Sequence, residues 1–386
     1  MAEKLFYSDQ YMKSFTSRVV SCEGGARGYE AILEKTAFYP EGGGQPGDTG
    51  ALGTARVIDT VLRGNEIIHV LDAPLEPGSE VSGEVDLSRR FDFMQQHSGE
   101  HIVSGLINAA KGYHNTGFHM GAEVVTIDFD GELSEAELAG IERAANEIVW
   151  RNVEISAGWY EGEELRRISY RSKKPLEGSV RIVAIPGADV CACCGTHVAR
   201  TGEIGLIKLL GSQRLRGGVR LELVCGARAY DYASRIIEEN RGVSRIFSAK
   251  PLETAAAAQR MHEELEALKY RLTGLEMQRF AAIARENAGA SGTVLFEDGL
   301  DADSVRRLAD AVMAENSGVC AVFSRSGDGG FKYAVGQRQG DVCTLVREMN
   351  AALSGRGGGR GGFAQGSLSA SRGEIEAFFA VRPSQA

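Results

Sequence analysis

Two short segments almost a hundred residues apart hold the residue types that bind metal. His97 and His101 stand four apart in Gln96-His97-Ser98-Gly99-Glu100-His101. On an α-helix that interval puts both imidazoles on one face about one turn apart, a chelating geometry. Cys191-Ala192-Cys193-Cys194-Gly195-Thr196-His197 repeats the interval with a cysteine and a histidine, and the glycine between them lets the backbone turn. Three imidazoles and one thiolate form a tetrahedral N and S set that suits zinc, which accepts soft and borderline ligands and asks for little beyond four-coordination. The expected ligands are His97, His101, Cys193 and His197. A small shift of the loop would let Cys191 or Cys194 take the place of Cys193. The first segment also matches H-x-x-E-H, the inverted zinc-peptidase pattern with Glu100 as general base. A peptidase of that kind draws its third ligand from a downstream carboxylate, whereas this chain offers a Cys/His pair.

The elements that must position these residues follow from pattern. The chain has 386 residues, 43% hydrophobic and 25% charged, long enough for two or three domains with their own cores. Residues 1–90 are glycine-rich with short alternating apolar runs (Arg18 to Ser21, Ala55 to Val61, Ile67 to Leu71) separated by the turn clusters Pro40 to Gly50 and Pro74 to Gly83. They read as a β-barrel-like domain. From Phe93 the period becomes helical through Met94, His97, His101, Ile102, Leu106 and Ala109, ending near Gly112. A strand over 124–130, a helix capped by Ser134 with Glu137 three residues on, and strands near Val153 and Val180 complete an α+β domain over 91–225. Residues 226–290 read as a helical spacer broken near Lys250 and Pro251. Leu265, Leu268, Leu272, Leu275 and Met277 run along its second helix as a coiled-coil-like seam. Residues 291–386 restart as a small α/β domain with the glycine-rich stretch Gly355 to Gly362. The overall class is α+β.

Composition narrows the setting. No run of 18 to 20 apolar residues occurs and the first sixteen residues lack a signal-peptide pattern, so a soluble, cytoplasmic protein without a membrane partner is expected. Seven cysteines, three of them crowded at Cys191, Cys193 and Cys194, suit reduced thiols and metal ligation. A net charge of -9 argues against wrapping nucleic acid with the whole surface, though a local basic strip on an acidic body is compatible with it.

Three motifs in order then carry a resemblance. Thr36-Ala37-Phe38-Tyr39-Pro40-Glu41-Gly42-Gly43-Gly44-Gln45-Pro46-Gly47-Asp48-Thr49-Gly50, His97-x3-His101 and Cys193-Cys194-Gly195-Thr196-His197-Val198-Ala199-Arg200-Thr201-Gly202-Glu203-Ile204-Gly205 resemble the editing domain of alanyl-tRNA synthetases and its free-standing AlaX relatives, over residues 1 to about 225. The stretch from Gly357 to Gly366 is similar to the DHHA1-type C-terminal domain, so the layout resembles the long form of AlaX. The family's H-T-x-x-H is here His97-Ser98-Gly99-Glu100-His101, and Cys194 replaces the first glycine of its C-G-G-T-H.

The resemblance implies hydrolysis in trans of tRNA(Ala) mischarged with serine or glycine, with Zn2+ as cofactor. A pocket shaped for alanine cannot exclude glycine by size or reject serine by one hydroxyl, so a second, hydrolytic sieve is needed. It implies Thr36 as the residue that hydrogen-bonds the serine hydroxyl, with Gly43, Gly44 and Gln45 as pocket wall. Thr36, Gln45, Glu100 and His119 are the catalytic candidates, with His119 also a pocket donor. Arg200, Lys208, Arg214, Arg216 and Arg220 form the expected strip for tRNA phosphates, and Arg356 and Arg360 lie among glycines that allow close backbone approach to RNA. The spacer or C-terminal domain would support a homodimer. The rival from another class is a non-catalytic, zinc-stabilised tRNA-binding module.

Overall fold

A computed structural model describes residues 2–172, 176–327 and 329–381. The chain is α+β and divides into two compact units, 1–242 and 243–386.

In the first unit the alternating segments of the first 85 residues become Ser14–Gly25, Gly28–Leu33, Gly50–Leu52, Ala55–Arg63, Glu66–Leu71 and Glu80–Val85. Each pairs with two neighbours, so the six close into a ring: first, second, fifth, fourth, third, sixth and back to the first. The sixth strand begins inside the stretch read from sequence as the Pro74 to Gly83 turn cluster. Val19 and Val57 alternate with exposed neighbours and form one core with Ala31, Leu33, Leu71 and Phe38.

The long helix Leu87–Lys111 starts six residues before the expected Phe93. The Asp86 carboxylate accepts from the Arg89 N–H at its start, and Gly112 in the left-handed region (φ 74°) ends it. From Phe93 to Gly105 every residue is buried, because sheets and a helix cover it on several sides. One is the four-stranded sheet Ile207–Leu215, Gly218–Cys225, Val125–Phe129, Asn115–Met120, in that spatial order. Gly99 is the point of closest approach: a Cβ there would lie 2.2 Å from Cys225 Sγ. The second helix, Glu135–Arg151, begins at Ser134 with a complete capping box, as its Ser-x-x-Glu pattern dictates. A three-stranded sheet of Ser156–Tyr160, Val180–Ile185 and Asp189–Ala192 leads directly into the cysteine loop. The strand expected near Val153 thus begins at Ser156.

In the second unit, helix Thr254–Glu286 packs Phe280 and Ala284 against helix Ala302–Glu315 on one face of a five-stranded sheet. Helices Cys343–Ala352 and Arg372–Ala380 cover the other face. The glycine-rich stretch is the edge strand Arg356–Arg360, paired antiparallel with Phe363–Leu368. It is glycine-rich because a Cβ at Gly359 would meet the Phe363 carbonyl oxygen at 1.9 Å. The seam residues Leu265, Leu268, Leu272, Leu275 and Met277 are all exposed. Among the described residues no helix is long and apolar enough to cross a membrane.

Candidate metal centre

His97, His101, Cys193 and His197 come together with their donor atoms all within 4.8 Å of one another. The helix supplies the first pair, and the loop after Asp189–Ala192 supplies the second. Cys193 Sγ lies 3.4 Å from both His97 Nε2 and His197 Nε2. Tetrahedral coordination with bonds of about 2.0–2.1 Å to nitrogen and about 2.3 Å to sulfur separates such donors by about 3.5 Å. The residues therefore fit a divalent ion in both donor chemistry and spacing.

Each imidazole is oriented from behind. His97 Nδ1 donates to Gln45 Oε1 (3.0 Å), His101 Nδ1 to Asp189 Oδ2 (3.0 Å) and His197 Nδ1 to Ser98 Oγ (3.1 Å). With Nδ1 committed to these acceptors, all three rings turn Nε2 inward, where loss of its proton gives the lone pair that ligation requires. Arg171 holds Asp189 through two bonds of 2.7 Å, and Gln45 also accepts from the Thr196 N–H (3.1 Å) and donates to its hydroxyl (2.8 Å). Gly195 lets the loop ride on the first imidazole, since a Cβ would lie 2.1 Å from His97 Cε1.

The three crowded cysteines differ in their surroundings. Burial opposes ionisation of Cys193, but the His97 and His101 charges and hydrogen bonds with His101 and His197 outweigh it and hold this thiol well below its ordinary range. Burial pushes Cys191 up to about 11 and raises Cys194. Burial, then the His97 charge, drives His197 down to about 3, which keeps it neutral. For His101 burial acts downward, and Cys193 and Asp189 override it to raise the ring well above its usual value. Cys193 is thus the thiolate of the group, and Cys191 Sγ sits instead beside His101 and Asp189.

The cluster opens on a cleft of about 940 Å³ whose lining includes Gly43, Gly44, Glu100, Asn115 and Phe118. Glu100 is buried rather than solvated: its Oε1 accepts from Ser104 Oγ and Asn115 Nδ2, both at 2.6 Å, and its Oε2 lies 3.9 Å from His101 Nε2. Asn115 Oδ1 is buried and has no protein partner among the described residues. Phe118 stacks on His97 (centroids 5.4 Å, 28° apart), and only glycine fits at position 44, where a Cβ would strike Phe118 at 2.4 Å.

Other expected site residues stand elsewhere. Thr36 and Gln45 are fully buried behind the cleft wall; Gln45 grips His97, and the Thr36 hydroxyl lies 2.8 Å from His69 Nε2 while accepting from the Phe38 N–H. His119 is exposed on strand Asn115–Met120, whose alternation turns Phe118 to the cluster and His119 to the opposite face. The basic strip is largely neutralised within the protein. Arg220 is held bidentate by Asp128, Arg214 pairs with Glu132 and Lys208 with Glu142 through single contacts, and Arg200 donates to the Asn152 carbonyl. Arg216, Arg356 and Arg360 are exposed and have no acidic partner among the described residues. Gln45 as an imidazole support, Ser98, Asp189, Asn115, Phe118 and His69 were not assigned these roles by the sequence reading; Ser98, one residue after His97, carried the nearest local signal.

Residues 180–246 match the Threonyl and Alanyl tRNA synthetase second additional domain, and residues 289–381 match the DHHA1 domain. Alanyl-tRNA editing protein Aarsd1-B of Xenopus laevis is 31% identical over 278 residues, 68% of this chain and 68% of that one. Alanyl-tRNA editing protein Aarsd1 of Danio rerio is 28% identical over 402 residues, 97% of this chain and 96% of its own. An alanine–tRNA ligase of Ignicoccus hospitalis is 31% identical over 372 residues, 93% of this chain, which spans only 40% of the ligase. With a His/Cys tetrad that could hold a metal beside a cleft, two matched domains and these relatives, the chain belongs to the family of alanyl-tRNA editing proteins.

Proposed function

We propose that this protein is a trans-editing deacylase that hydrolyses the ester of tRNA(Ala) mischarged with serine or glycine. The observation that carries the reading is the convergence of three Nε2 atoms and one Sγ beside a cleft large enough for an aminoacylated nucleoside. The names and extent of the relatives support it. The proposed ligands are His97, His101, Cys193 and His197, and the proposed ion is Zn2+, for which mixed imidazole and thiolate donors are suited. Bound there, zinc would fix four side chains from two distant segments and neutralise the thiolate, a positional role in keeping with four protein donors.

The chain's own residues supply the rest. Asn115 Oδ1 offers an acceptor to the substrate's ammonium group, and Gly43 and Gly44 form a wall where side chains would obstruct the acyl group. Water attacks the ester carbonyl, Glu100 takes its proton on Oε2 and returns it to the ribose oxygen as the acyl C–O bond breaks, releasing the amino acid and a free ribose hydroxyl. Thr36 and Gln45 act from behind the wall, as supports. Arg216, Arg356 and Arg360 are the cations available to tRNA phosphates. The exposed seam of Thr254–Glu286 is the proposed homodimer surface, and the proposed location is the cytoplasm. Functionally we divide the chain into a barrel (1–90), an editing domain (91–225), a helical spacer (226–290) and a DHHA1-type domain (291–386).

Deacylation of Ser-, Gly- and Ala-tRNA(Ala) measured side by side, with metal analysis of the same preparation, tests the reading. The expected outcome is loss of serine and glycine above the buffer rate, retention of alanine, and one zinc per chain. Binding of tRNA(Ala) without acceleration would make the protein a binding module. Cleavage of unstructured protein that Glu100→Gln abolishes, with esters untouched, would make it a peptidase.

A further inference from the structure

Trp159 is half exposed, and it stands on the wall of the cleft. An indole carries one of the largest apolar surfaces of any side chain, and its exposure inside a concave site, unlike that of a lone surface leucine, points to a partner. The ring is held in place. It meets Tyr7 edge-on, with centroids 5.6 Å apart and planes at 81°, so at least one indole face stays uncovered. Tyr7 is in turn packed on Phe6, and Phe6 on Tyr39, which anchors the stack in buried structure.

The same group is tied to the metal-ligand loop. Arg181 lies directly opposite Trp159 in the antiparallel register, so both side chains project from one face of the sheet. Its guanidinium covers the Tyr7 ring at 4.9 Å and donates to the carbonyls of Cys193 and Gly195, both at 2.9 Å. Tyr7 Oη donates to the carbonyl of Cys194 at 3.0 Å. The indole is therefore one aromatic ring removed from the ligand loop.

The charge of the cleft narrows the partner. Arg171 is committed to Asp189 and Arg181 to two loop carbonyls, so neither cation is poised for a phosphate. What the indole itself offers is a flat, rigid, uncharged face, and nucleic-acid bases stack on such faces. Resting on the deacylase reading above, we propose that Trp159 is the stacking platform for the adenine of the tRNA's 3′-terminal nucleoside, holding the ester it carries against the metal centre.

The test separates this proposal from the reading it rests on. Trp150 is the other tryptophan of the chain and lies on helix Glu135–Arg151, so Trp150→Phe leaves Trp159 as the sole indole reporter. Its fluorescence is titrated with an oligoribonucleotide ending in CCA and with the same oligonucleotide ending in an abasic ribose. We expect saturable quenching by the first and none by the second. In deacylation of Ser-tRNA(Ala), Trp159→Ala should raise KM about tenfold with kcat and metal content unchanged, and Trp159→Phe should restore most of the loss. Equal quenching by both oligonucleotides, or a deacylase whose KM does not respond to Trp159→Ala, overturns the platform. Quenching by CCA from a protein without esterase activity would overturn the deacylase reading and leave the platform standing.

Discussion

The barrel interior and the metal centre both bury imidazole completely, yet they use it in opposite ways. In the barrel, His69 donates from Nδ1 to the Ala31 carbonyl (3.1 Å), which leaves Nε2 to accept from the Thr36 hydroxyl (2.8 Å). Both nitrogens are spent on the protein, and burial holds the ring down to about 4, neutral at physiological pH. In the centre, His97, His101 and His197 also commit Nδ1 to the protein, but each keeps Nε2 in reserve. Burial alone therefore does not identify a ligand histidine. What distinguishes the two regions is whether the second nitrogen already has a protein partner or converges with others upon a thiolate.

That contrast can be broken or sharpened by substitution. The largest effect should come from Cys193→Ala, which removes the one thiolate. Metal content should fall to background and deacylation by more than about a hundredfold. Retained stoichiometric metal would move the ligand to Cys191 or Cys194. Asp189→Asn keeps the shape but weakens the hold on His101 and Arg171, and metal affinity measured by chelator competition should drop about 10- to 100-fold.

The barrel histidine should instead show itself through pH. Its folded-state value lies below the ordinary 6.5, so the unfolded chain takes up the proton first as pH falls. The contribution of His69 is complete above about pH 6.5 and is lost between there and about pH 4, a change of about 3 kcal/mol. Denaturant melts across this window should show that slope in the wild type and a flatter one in His69→Gln. An identical slope in both would remove His69 from the account. The smallest effect is expected from Thr36→Val, which strands His69 Nε2 and should cost about 1–3 kcal/mol of stability while leaving bound metal unchanged. Loss of metal from that variant would erase the distinction between the two regions.

The convergence of His97, His101, Cys193 and His197 was legible because an interval of four residues has a fixed meaning on a helix, and because a Cys/His pair with a glycine between is chemically specific. The capping box at Ser134, the break before Thr254 and most elements of the second unit were legible for the same local reasons. Their surroundings were not. Gln45 reaches His97 across 52 residues and Asp189 reaches His101 across 88, and no periodicity encodes such distances. His119 and Phe118 could be told apart only once Asn115–Met120 was known to be a strand, and its glycine and polar residues hid that. The arginine strip looked available to phosphate because the carboxylates that neutralise it come from other elements: Asp128 from the adjacent strand, Glu132 and Glu142 from farther along the chain. Gly355 to Gly362 gave no sign of a strand because the backbone contacts that demand glycine there exist only once the edge strand is paired.

Gln45 has a consequence for anyone who would shorten the chain. Its side chain bolts a loop from the first fifty residues to both His97 and Thr196, while the buried pair of Arg90 with Asp48 ties the start of helix Leu87–Lys111 to the same loop. A truncated protein beginning at position 91 would lose the clamp on one imidazole and the brace beneath the cysteine loop in a single cut. The smallest fragment able to carry the ion must bring its β-ring with it.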